Sequence, residues 1–335
     1  MVVAEVFGIL PDGEEVTRVT IAHHGLTASI LTQGARLQDL RLQGISHPLV
    51  LGFPTLADYL TDGMSYGSIA GPVANRIGQA KAVLDGETLR FEPNFVGRHT
   101  LHGGSAGTAR RNWRVEAWDD ASVTLSLKLS DGDGGFPGNR DIRLIYSIDD
   151  GPALRLLFTA ETDRPTFCNL AQHSYFNLDG APDITAHELM IAAATFTKTD
   201  EDLIPTGKLQ PVEGTGFDFT EPRFLNDPKT LRTLDTNFCV QDRQLATPAF
   251  AARLTAGITV MDIFSTEPGL QAYAGAHLKR GPVGIGGTPY GPNAGIALES
   301  QGWPDAPNHA DFPSIVLRPG QPYRQETILK FRRRG

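Results

Sequence analysis

Residues 122–158 read SVTLSLKLSDGDGGFPGNRDIRLIYSIDDGPALRLLF. Val123, Leu125, Leu127 and Leu129 alternate with polar residues, Ile142, Leu144, Tyr146 and Ile148 repeat the pattern, and Leu154, Leu156 and Phe158 follow. A side-chain period of two is the mark of half-buried antiparallel strands, so these runs read as consecutive strands of one sheet. The intervening DGDGG, 131–135, begins like a calcium loop. Its twelfth position, however, is Ile142, where such a loop needs a bidentate Glu, so it reads as a hairpin turn.

The same period continues outward from this stretch. AVLDGETLRF places Asp85-Gly86 between two apolar-rich arms, a strong hairpin signal. The terminal PYRQETILKF alternates Tyr323, Gln325, Thr327, Leu329 and Phe331 and reads as a closing strand. Helical signals are short. Asp227-Pro228 caps and opens a turn or two before Leu234, and TLADYL, 55–60, is a second candidate. With no Ser/Gly or Pro linker and no repeat of 20–50 residues, the reading is all-β: one large antiparallel β-sandwich domain over 1–335 with few short helices.

Composition narrows the partners. The chain has 335 residues, 40% hydrophobic, with a net charge of −8, which excludes a disordered chain. An acidic balance without a Lys/Arg-rich face argues against nucleic acid or an anionic membrane as partner. No apolar run approaches the roughly 20 residues that span a bilayer. The start, MVVAEVFGILPDGEE, lacks the basic and apolar regions of a signal peptide, and Cys168 and Cys239 lie far apart. The expectation is a soluble cytoplasmic protein, monomer or homodimer, acting on a small uncharged molecule.

Few motifs carry chemistry alone. GGSAG, 103–107, matches a nucleophile elbow, but TARRNW follows where an apolar helix should, so a glycine-rich turn is the better reading. No H-E-x-x-H, paired C-x-x-C or G-x-x-x-x-G-K-[ST] is present, and neither metal nor cofactor is expected. Of nine histidines, His23, His24, His47, His99, His187, His277 and His309 read as surface or locally bonded residues. His102 differs, because the glycines after it would let a ligand approach the backbone closely. So does His173, which strand alternation places on one face with Asn169 and Ala171. Glu299 shares a strand face with Ala297, opposite Ile296 and Leu298, and a rigid strand suits a catalytic carboxylate. Arg76 fits a structural salt bridge or a ligand clamp equally well, and Asp235 fits a turn residue or a hydroxyl acceptor.

In series, ANRIG, the LDG hairpin, LHGG, DGDGGFPGN, QHSYFNLDG, LIPTG, FDF, DTNF, GLQAYAG, LESQGWPDAPN and FPSIVLRPGQPY resemble the aldose 1-epimerase (galactose mutarotase) family over nearly the whole chain. The resemblance implies a large antiparallel β-sandwich that binds a monosaccharide on its concave face without a cofactor. It implies Glu299 as general base toward the C1 hydroxyl and His173 as general acid toward the ring oxygen. Arg76 and His102 would hold the sugar near that oxygen, and Asn75, Asp235 and Gln271 would bind hydroxyls, with Asp235 on the far side. Three departures touch the expected sugar-binding rim: Thr236 where the family has His, Pro72 where it has Arg, and Gly275-Ala276-His277-Leu278 where it has GNFL. Trp303 could stack on a pyranose or simply pack. A glycoside hydrolase using Glu299 and Asp235, a non-catalytic carbohydrate-binding protein and a hexose-phosphate mutarotase are the competing readings.

Overall fold

The computed structural model describes residues 3–61 and 65–334; the remaining positions of the 1–335 sandwich lie outside the described residues. Its largest sheet has nine strands in the spatial order Arg114–Trp118, Ser122–Leu129, Arg140–Asp149, Ala153–Thr162, Tyr323–Arg333, Thr259–Ser265, Ala249–Ala256, Glu188–Ile191 and Arg223–Phe224. The alternating stretch supplies three neighbours in it, paired antiparallel with Val123 opposite Tyr146 and Leu144 opposite Phe158. The closing strand is not at an edge. It pairs with Ala153–Thr162 on one side and Thr259–Ser265 on the other, so the chain terminus locks the middle of the sheet.

A six-stranded sheet and a four-stranded N-terminal sheet complete the β-architecture with several two-stranded pieces. The apolar faces of the three larger sheets meet in one core, where Leu144 and Leu156 join Ile21 and Leu40 of the N-terminal sheet and Leu270 and Leu298 of the six-stranded sheet. Burial of such faces, at roughly 25 cal/mol per Å² of apolar surface, is what selects this stacking. Among the described residues there are two α-helices, Leu56–Thr61 and Pro228–Thr233. Asp227 caps the second, accepting from the backbone N–H of Lys229 at 3.2 Å and Thr230 at 3.1 Å. The Asp85-Gly86 hairpin and the turn at 131–135 form as read.

Two local readings need correction. The glycines after His102 do admit a close approach, but by the protein itself. A Cβ on Gly103 would lie 2.4 Å from the Gly71 carbonyl, and one on Gly104 would meet the Glu92 side chain at 2.8 Å. The strand read through His173 is broken into Thr166–Phe167, Ala171–Gln172 and Tyr175–Phe176. These pieces pair with three different partners, Val316–Leu317, Ile69–Ala70 and Ile296–Gln301. A segment that crosses between sheets cannot hold a two-residue period, so His173 owes its direction to the crossing.

Candidate active site

Three adjacent strands of the six-stranded sheet, Asp235–Cys239, Gly269–Tyr273 and Ile296–Gln301, form the floor of the site. Their register sets Asp235 opposite Tyr273, Asn237 opposite Gln271, and Gln271 opposite Glu299. Cross-strand partners share a face, so all these side chains stand on one side of the sheet while Phe238, Leu270 and Leu298 enter the core on the other. Tyr175 pairs with Ala297 and joins the polar side.

Loops bring the remaining groups. His173 is held at its backbone from both directions: its N–H donates to the Ser68 carbonyl and its carbonyl accepts from Gly67, each at 2.9 Å. That leaves its Nε2 3.5 Å from Glu299 Oε1, with both side chains buried. The pairing of Arg76–Ile77 with Thr100–Leu101 carries Asn75 to His102. There the His102 N–H donates to the Asn75 carbonyl at 2.9 Å, and the Asn75 N–H donates to His102 Nδ1 at 3.1 Å. An Nδ1 that accepts must lack a proton, so neutral His102 carries its hydrogen on Nε2. Asn75 sits at φ 62°, a left-handed conformation Asn tolerates, and its Oδ1 accepts from the Arg76 N–H at 2.9 Å. The Arg76 guanidinium lies 4.7 Å above the Phe95 ring and reaches Asp235 Oδ2 at 3.2 Å. Gln271 Nε2 donates to the other Asp235 oxygen at 2.5 Å.

These groups surround a cavity of about 450 Å³, a size typical of small-molecule sites. Asn75, Arg76, His102, His173, Asp235 and Glu299 line it, six of the seven residues named from sequence. Gln271 lies in the floor beneath Asp235. Phe95, Tyr175, Leu203, Tyr273 and His277 also line it and were not singled out. Tyr273 had a signal, since it lies two residues beyond Gln271 on one strand face. His277 had only its place in a divergent segment; its backbone N–H donates to the Tyr273 hydroxyl at 3.1 Å. Thr236 points away from the cavity, pairing with Ala272 on the opposite face, so that departure belongs to the core side. Trp303 packs edge-on against Phe312 and donates its Nε1–H to the Pro268 carbonyl at 3.0 Å, a packing role. A separate cavity of about 200 Å³ beside Glu267 contains no histidine.

Burial governs the electrostatics. It pushes the Glu299 carboxyl up to about 8, helped by the charge of Asp235 and opposed by Arg76. It pushes His173 down to about 4, against the pull of its own backbone and of Asp235. Burial, then His173 and Arg76, hold His102 well below the ordinary imidazole range. Between these limits the Glu299–His173 pair carries one proton and no net charge, with the neutral His102 beside it as a hydrogen-bond donor.

The aldose 1-epimerase family profile matches residues 17–330. The chain belongs to the aldose 1-epimerase family. Curated relatives in this family include galactose mutarotase of Rattus norvegicus, 36% identical with 97% of each chain covered. Galactose mutarotase of Homo sapiens is 35% identical over 97% of each chain, and aldose 1-epimerase of Escherichia coli K12 is 32% identical over 96% of this chain and 97% of its own. Among solved structures, a GalM/aldose epimerase homologue from C. elegans superposes with a TM-score of 0.88 at 32% identity, covering 95% of this chain and 99% of that one. For this aldose 1-epimerase, the fold and the family thus agree along nearly the full length.

Proposed function

We propose that Glu299 and His173 are the base and acid by which this aldose 1-epimerase works, and that the polar groups around them bind the sugar. The enzyme is an isomerase that interconverts the α and β anomers of a free aldose. The observation that carries the assignment is a buried carboxyl and a buried imidazole 3.5 Å apart, both lining one cavity.

With the pair's one proton on His173, Glu299 Oε1 takes the proton of the C1 hydroxyl while His173 Nε2 gives one to the ring oxygen. The C1–O5 bond breaks as the C1 carbonyl forms. Rotation about C1–C2 presents the other carbonyl face. Reclosure reverses both transfers, O5 returning its proton to His173 and Glu299 returning one to the C1 oxygen, so no proton is gained or lost. The charge of Arg76, and hydrogen bonds from sugar hydroxyls to Glu299, favour the carboxylate and so the working arrangement. His102 contributes its Nε2–H to the sugar oxygens near C1. Asn75, Asp235 and Gln271 bind hydroxyls, and an ionised Asp235, already held by Arg76 and Gln271, retains lone pairs for them.

Galactose is the first sugar to test, given the names of the mammalian relatives. Optical rotation of freshly dissolved α-galactose, glucose, xylose, arabinose and fucose should relax faster with enzyme than without. Relaxation no faster than in buffer for every sugar would reject the reading.

A further inference from the structure

On the same face of the sheet as Glu299 lies a set of polar atoms that the reaction does not use. Glu299 offers Oε1 to His173, but its Oε2 is buried with no hydrogen-bond partner among the described residues. Both amide atoms of Asn237 and both of Gln301 are in the same condition, at 2% and 0% exposure. Buried polar groups are almost always hydrogen-bonded, so five such atoms together call for a shared partner.

The register places them together. Asn237 is opposite Gln271, which is opposite Glu299, and Gln301 stands two residues beyond Glu299 on the same face. Opposite Gln301 is Gly269, and the space its side chain would fill is taken by Asn237, whose Oδ1 lies 2.4 Å from the position of a Cβ there. Gly269 thus lets Asn237 reach toward Gln301, and Gln301 is the i+2 neighbour of Glu299 on one strand face, so the two amides stand beside the carboxylate on its own side of the sheet. Each amide can both donate and accept, which is what a bound water with two to four polar partners requires.

We infer that Asn237 and Gln301 are positioning residues for the reaction, holding Glu299 Oε2 through bound water so that Oε1 faces His173 and the sugar. The inference rests on Glu299 being the base. The water would donate to the carboxylate and favour its ionised form, as Arg76 does from the cavity side. The other titratable groups facing Glu299 are His173, Asp235 and Tyr175.

The test combines kinetics with crystallography of the full-length enzyme. In polarimetric assays, Gln301→Met and Asn237→Leu should each lower kcat roughly tenfold or more with KM within about twofold. The alkaline limb of kcat/KM should move up by about one pH unit, since the carboxyl loses donors, while the acid limb stays. Ser300→Ala, on the same strand but the opposite face, should move neither. A wild-type crystal structure at high resolution should show ordered water joining Glu299 Oε2 to Asn237 and Gln301, and this measurement decides the matter if the variants do not fold. The inference is overturned if kcat falls with the alkaline limb in place, which is what mere loss of packing does, if neither changes, or if the amides bond other protein groups with no water between. Failure of Glu299 as base would show separately, as activity retained in Glu299→Gln.

Discussion

Glu299 and His173 are each ordinary residues made useful by where they stand. Glu299→Gln keeps the shape and removes the base, and His173→Asn removes the acid, so each should lower polarimetric turnover by roughly 10²–10⁴-fold. Because the pair moves its protons as a unit, the double variant should be far less impaired than the product of the single losses. Near-wild-type turnover in a folded Glu299→Gln enzyme would remove it from the chemistry. The wild-type kcat/KM profile should be bell-shaped, falling below about 4, where His173 binds a second proton, and above about 8, where the shared proton leaves. Asp235→Asn should raise KM about ten- to a hundredfold through lost hydroxyl bonds. It should also move the alkaline limb down, since the Asp235 charge is the second cause of Glu299's elevation. An alkaline limb that rises or stays in that variant would contradict this electrostatic account. At this scale the sequence was partly readable. Strand alternation placed Glu299 because its strand is continuous, and failed for His173 because its segment changes sheets. His277 was passed over because nothing local distinguishes a histidine at a cavity rim from one at a surface turn.

Strands and turns determine whether these residues meet. The long strands of the nine-stranded sheet and the Asp85-Gly86 hairpin were legible because period and turn chemistry are local properties. The convergence of Asn75 with His102, and of Asp235 with Arg76, was not, since each depends on pairing between segments distant in the chain. The glycines at 103–107 illustrate the difference. Their sequence announces a tight turn, but only the fold shows that Gly103, at φ 77°, abuts the Gly71 carbonyl. Ser105, the serine of the apparent nucleophile elbow, donates instead to Glu92 at 2.5 Å. Gly103→Ala combines a left-handed backbone with a 2.4 Å clash against main chain, and should destabilise the fold by about 2–4 kcal/mol in urea unfolding. It should also slow turnover, because the same loop carries His102. A variant as stable as wild type would mean that the turn has room to shift.

Across the whole molecule, the site is a place where stability is given up for function. The Glu299 carboxyl, at about 8 in the fold against an ordinary 4.5, retains a proton that the unfolded chain has already released. Through that window the folded state binds more protons than the unfolded, so stability falls as pH rises, and the loss is complete once pH passes the folded value. Glu267, buried and raised to about 7, acts in the same direction. His187, lowered to about 4 by burial, acts oppositely: its contribution is present above about 6.5 and lost as pH falls. Glu299→Gln removes the contribution of the Glu299–His173 pair's shared proton, while Glu267 and His187 remain in both proteins. The variant's advantage in unfolding free energy should be near zero at pH 4, grow between about 4.5 and 8, and level off above that at a magnitude on the order of a few kcal/mol. Urea unfolding of the two proteins across pH 4–9 measures this directly. A constant difference would show that Glu299 ionises normally in the fold, and would also remove the physical basis for the alkaline limb of the activity profile.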